Sequence, residues 1–83
     1  MNVITNNTES ILKMIADVME IPEDTITPDQ SFLDIGMQSI GFINVIINCE
    51  SKFDIEFEDD KFLITSYPTI ADFISYVESL SKQ

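Results

Sequence analysis

Ser39-Ile40-Gly41-Phe42-Ile43-Asn44-Val45-Ile46-Ile47-Asn48-Cys49-Glu50-Ser51-Lys52 decides the fold class of this chain, because it reads two ways. Phe42, Val45, Ile46, Cys49 and Phe53 fall at i, i+3, i+4, i+7 and i+11, which is one face of a helix. The β-branched residues Ile40, Ile43, Val45, Ile46 and Ile47 would also suit a buried strand. Length separates the readings: the stretch runs 14 residues without a turn signal, whereas strands average about 5–6. The spacing therefore predicts a helix over 39–52.

On the N-terminal side, Ile11, Leu12, Ile15, Ala16, Val18 and Met19 repeat with helical period and predict a helix over 8–20. Thr8 would cap it, Glu9 would face the positive end of the helix dipole, and Pro22 would stop it. A long connection follows, 21–38, in which Thr27-Pro28-Asp29 could start one helical turn and Phe32, Leu33 and Ile35 read as anchors to the core. A structureless loop of this length is uncommon in a small domain and usually functional. On the C-terminal side, Phe53, Ile55 and Phe57 alternate with acids as a strand would, and Asp59–Ile64 suits a short helix or a second strand. Thr69, after Pro68, opens a third helical stripe of Ile70, Phe73, Ile74, Val77 and Leu80, predicting a helix over 69–80. On pattern alone, a small all-α bundle is only modestly ahead of an α+β domain.

The chain has 83 residues, 45% of them apolar, which is enough for one domain (1–83) with a thin core. Fifteen acids against four lysines give a net charge of −11. That balance disfavours nucleic acid, whose phosphates need Lys or Arg to displace counterions, and anionic membrane surfaces alike. The apolar content is too high and too evenly spread for a disordered acidic tail. One cysteine, Cys49, makes no internal disulfide, and its slot on an apolar face reads as core. With no signal-like leader and no apolar run near the roughly 20 residues of a membrane span, the expected address is a reducing cytoplasm, without membrane insertion. No enzyme constellation is visible: histidine is absent, and the lone cysteine has no basic neighbour. Asp54, Glu56, Glu58 and Asp60 imitate a calcium loop, but Asp59 stands where Gly is needed and Thr65 where Glu is needed, so no metal site is expected.

The stretch Phe32-Leu33-Asp34-Ile35-Gly36-Met37-Gln38-Ser39-Ile40 resembles the attachment motif of acyl and peptidyl carrier proteins, and the likeness extends from the first helix to Tyr67-Pro68-Thr69-Ile70 before the last. It implies a three-to-four-helix bundle with a long loop between helices one and two. It also implies that Ser39 is esterified to 4′-phosphopantetheine from coenzyme A, whose thiol carries acyl, polyketide or aminoacyl groups as thioesters. The implied partners are a phosphopantetheinyl transferase, an acyl- or aminoacyl-loading enzyme, and downstream synthase or tailoring enzymes, meeting a monomer. A transferase supplies its own base, so the missing histidine fits a carrier without catalysis. Gln38 stands where acyl carriers usually have Asp, and helix two holds only one acid, Glu50. The acid-poor helix two and the Phe-x-Asp-Ile-Gly spacing, together with Tyr67-Pro68-Thr69-Ile70, resemble freestanding carriers of polyketide or nonribosomal peptide pathways. A housekeeping fatty-acid carrier and an unmodified acidic adaptor are the remaining readings. Ile40, Ile43 and Ile47 form a second apolar stripe on helix two, which is expected to meet partners together with Gly36, Met37, Gln38 and Glu50.

Overall fold

A computed structural model describes residues 6–81. Three α-helices build the fold, α1 (Asn6–Met19), α2 (Ser39–Phe53) and α3 (Ile70–Ser81), and there is no strand among the described residues. The stretch that could have been a strand is helical throughout. Its face of Phe42, Val45, Ile46 and Cys49 is buried, while the other β-branched residues lie outside that face.

Both helix ends that lead into connections close on a left-handed residue. Glu20, at φ 59°, ends α1, and the Ile21 N–H donates to the Ala16 carbonyl at 3.1 Å. Asp54, at φ 56°, ends α2, and the Ile55 N–H donates to the Glu50 carbonyl at 3.2 Å. These bonds satisfy terminal carbonyls that have no partner inside the helix. Pro22 is therefore not the stop for α1. It precedes a single 3₁₀ turn at Glu23–Thr25 that the sequence pattern did not suggest. Thr8 is likewise not a cap, because α1 already runs from Asn6.

The connection between α2 and α3 corrects the strand reading. Phe57 is buried and Phe53 and Ile55 half-buried, whereas Asp54 and Glu56 are exposed, so the alternation is real. It belongs to an extended segment with no ladder partner among the described residues; the Phe57 N–H instead donates to the Glu50 carboxylate at 2.9 Å. The short helix expected at 59–64 is two separate 3₁₀ turns, Asp59–Lys61 and Ile64–Ser66. The Tyr67 hydroxyl pins them by donating to the Lys61 carbonyl at 2.8 Å.

Aromatic rings form the centre of the core. Phe32 from the long loop, Phe42 from α2 and Phe73 from α3 meet with centroids 5.1–5.6 Å apart, near the edge-to-face geometry that aromatic pairs favour. Ile11, Ile15 and Ala16 close the core from α1. Each buried Ile or Phe side chain contributes about 1.5–3 kcal/mol by leaving water. Phe32 is thus the anchor the sequence suggested and Ile35 is partly buried, but Leu33 is 70% exposed. Ile26 and Met37 hold the loop in its place. Thr27-Pro28-Asp29 forms a turn rather than a helix start, with the Gln30 N–H donating to the Thr27 carbonyl at 3.2 Å.

Candidate functional site

The approach to α2 is a hydrogen-bonded turn fastened at both ends. Ser31 and Asp34 bond reciprocally: the Ser31 N–H donates to the Asp34 carboxylate and the Asp34 N–H to the Ser31 hydroxyl, each at 3.0 Å. Two residues on, Gly36 takes φ +79°, and the N–H groups of Gly36 and Met37 donate to the carbonyls of Leu33 and Phe32, both at 3.0 Å. A Cβ at Gly36 would meet nothing within 4 Å, so glycine is required by the backbone conformation and not by lack of room. This reversal turns Met37 into the core at 1% exposure. Met37, expected among the partner-facing residues, is therefore a packing residue. Its place in the motif near Ser39 gave no sign that the left-handed turn at Gly36 would direct it inward.

Gln38, exposed and extended at φ −105° and ψ 171°, is the N-cap of α2, and its side chain makes no capping hydrogen bond. The first helical bond comes from the Phe42 N–H to the Gln38 carbonyl at 2.9 Å. Ahead of it stand the N–H groups of Ser39, Ile40 and Gly41, which have no protein acceptor among the described residues. Ser39 itself is exposed at the first helical position, and its hydroxyl has no hydrogen-bond partner among the described residues. Free donors aligned with the positive end of a helix dipole suit an attached phosphate. The residues present therefore fit a phosphodiester on Ser39 Oγ.

Beside Ser39 lies a shallow groove of about 220 Å³ lined by Ser39, Ile40, Ile43 and Asn44. Ile40 is 79% and Ile47 53% exposed, while Ile43 is half-buried. Asn44 was read from sequence only as standing where an acid might be expected, and not among the partner-facing residues, although it follows Ile40 by one helical turn. Glu50 is half-buried and its carboxylate is engaged by the Phe57 N–H, so it serves the fold locally. Cys49 is fully buried beside Met14, with burial, and to a lesser degree the Glu50 carboxylate, pushing its thiol up to about 12. It remains a protonated thiol, not a nucleophile, near neutral pH.

Comparison with known proteins joins this geometry to a family. Residues 9–77 match the model of the phosphopantetheine attachment site. The chain is 33% identical over 70 residues to the acyl carrier protein of Lactobacillus acidophilus, covering 83% of this chain and 85% of that one. It is 29% identical over 72 residues to acyl carrier protein 3 of Ralstonia nicotianae, covering 86% and 80%. Among solved structures it resembles the HMG-ACPI domain from the CurA module from Lyngbya majuscula, with a TM-score of 0.76 and 23% identity, covering 100% of this chain and 89% of that one. The helical bundle is the same in both. The chain therefore belongs to the phosphopantetheine-attachment family of acyl carriers, which hold acyl groups on covalent 4′-phosphopantetheine and are not themselves catalysts.

Proposed function

We propose that Ser39 is the attachment residue, and that the protein carries acyl, polyketide or aminoacyl intermediates between separate enzymes of specialised metabolism as a cytoplasmic monomer. The observation that carries the attachment reading is the exposed, unpartnered Ser39 hydroxyl at the head of α2, beside N–H groups without protein acceptors. When bound, the arm supplies a thiol that holds its cargo as a thioester. Ser39 Oγ supplies the oxygen of the phosphodiester, the N–H groups of α2 stabilise its charge, and Gly36 keeps the preceding chain clear of an approaching transferase.

Incubation with coenzyme A and a phosphopantetheinyl transferase tests the attachment. The intact mass of the native protein rises by one phosphopantetheine and that of Ser39→Ala does not. A native mass that stays unchanged with several transferases overturns the proposal.

The specialised pathway is favoured by the composition of α2. Its outer side offers Asn44, Ser51 and Lys52 where a charge-steered carrier would offer acids, beside the apolar stripe of Ile40, Ile43 and Ile47. Partners would dock on this stripe and on the exposed Gly36 and Gln38, through contacts that salt screens little. Reconstituted fatty-acid synthase enzymes discriminate the alternatives: they fail to elongate chains on this carrier if the proposal holds, and sustained elongation assigns it to housekeeping synthesis.

A further inference from the structure

Four lysines stand against fifteen acids in this chain, so the places the lysines take are informative. Lys61 lies over the Tyr76 ring, 5.6 Å from its centroid, and is engaged there. Lys13 of α1 and Lys52 of α2 instead line one groove of about 400 Å³, together with Met14, Asp17, Asn48 and Ser51. The groove lies between antiparallel helices: a Cβ on Gly41 would stand 3.7 Å from Val18, while the Cys49 thiol donates to the Met14 sulfur at 3.6 Å. Met14 is half-buried and supplies the apolar part of the lining; the five polar residues named with it are exposed. Neither lysine makes an ion pair among the described residues. Asp17 follows Lys13 by four positions, the spacing at which helical charges pair, and still leaves it free. The side chains of Asn48 and Ser51 likewise have no hydrogen-bond partner among the described residues. In so acidic a protein, two unpaired cations on the two walls of one groove reverse the charge locally.

We infer that this groove is a docking site separate from the head of α2, and that its occupant is a short acidic amphipathic helix of a partner protein, with carboxylates for Lys13 and Lys52 and an apolar side chain for Met14. The net charge of −11 repels an anion at a distance, so the attraction has to come from close contact. Screening allows this, because charges beyond a Debye length of about 8 Å count little at physiological salt. A free anion gains little from two exposed, flexible ammonium groups. A helix that carries several carboxylates beside an apolar stripe adds those small gains together. The groove admits side chains but not a whole helix, about 10–12 Å across, so the occupant lies over it and lowers its side chains in. Lys52 stands near the far end of α2 from Ser39, about 20 Å along the helix axis. A partner seated here leaves Ser39 uncovered, so one protein holds the carrier while another works at the head of α2.

The test uses the full chain without its arm, so its outcome is independent of the assignment of Ser39. A synthetic amphipathic helix with glutamates along its polar side is titrated into the isotope-labelled protein, beside a twin that has glutamines in their place. The expected result is saturable amide NMR shifts confined to residues 10–17 and 48–52. The glutamine twin binds about tenfold more weakly, the size of two exposed ion pairs together. The double variant Lys13→Glu, Lys52→Glu loses at least as much affinity while its amide spectrum stays native away from the groove. Equal affinity for the two helices, shifts centred on Ile40 and Ile47, or no shifts at all overturns the inference. Shifts of equal size at the same residues with inorganic phosphate alone assign the groove to a free anion. Shifts there on concentrating the protein alone assign it to a second copy, and either of these results also overturns the inference.

Discussion

The heads of α3 and α2 are built from similar sequence, a hydroxyl residue leading into an apolar stripe, yet they are finished in opposite ways. At α3, Thr69 and Asp72 form a reciprocal box: the Asp72 carboxylate accepts the Thr69 N–H at 3.1 Å and the Asp72 N–H donates to the Thr69 hydroxyl at 3.2 Å. The next donors, Ile70 and Ala71, give their N–H groups to the carbonyls of Gln30 and Pro28 in the long loop, each at 2.8 Å. Every early donor of α3 is used, and the loop is stitched to the bundle by the same bonds. At α2 the N-cap side chain makes no bond, and the first three N–H groups have no acceptor among the described residues. A small protein that closes one helix head completely and leaves the other open has put stability in one place and an exposed, unpartnered hydroxyl in the other.

Substitutions at the two heads should separate along that line. The largest effect is Ser39→Ala, which abolishes phosphopantetheine addition in an intact-mass assay while changing the unfolding free energy by less than about 0.5 kcal/mol, as for an exposed residue without partners. Thr69→Ala does the reverse. It leaves addition intact and costs about 1–2 kcal/mol in urea unfolding, because the box loses its hydroxyl and the Asp72 N–H its acceptor. Gln38→Asp is the smallest and sharpens the contrast most, since it installs the missing side-chain acceptor at α2. It should raise the stability of the unmodified protein by about 0.5–1 kcal/mol, read as a higher urea midpoint at unchanged slope. No gain there would mean that the α2 donors already have an acceptor.

Much of this contrast is legible in the sequence, and the remainder is not, for definite reasons. The expected helices over 39–52 and 69–80 differ from α2 and α3 by no more than one residue at either end, because long stripes of large apolar residues allow only one helical face inward. Thr69 was visible as a cap because Pro68 precedes it and the stripe follows. The loop was harder. Phe32 could be read as an anchor from its type alone, but Leu33 and Met37 exchange roles, one exposed and one buried. That exchange is made by Gly36 at φ +79°, and no periodic pattern carries across a left-handed turn. The alternation of Phe53, Ile55 and Phe57 was a true signal of burial and a false one of pairing, since a single extended segment against a bundle shows the same period as a strand. At the site, Ser39 and the exposed Ile40 and Ile47 could be named from sequence. The open donors could not, because the Gln38 side chain carries an acceptor of its own, and only its observed conformation shows that it leaves the cap unmade.

Amide hydrogen exchange, residue by residue, before and after phosphopantetheine addition tests the contrast most directly. The account predicts that Ser39, Ile40 and Gly41 exchange rapidly in the unmodified protein and slow once the arm is attached, while Ile70, Ala71 and Asp72 are protected in both forms. Protection at Ser39, Ile40 and Gly41 already in the unmodified protein, equal to that at the head of α3, would contradict it.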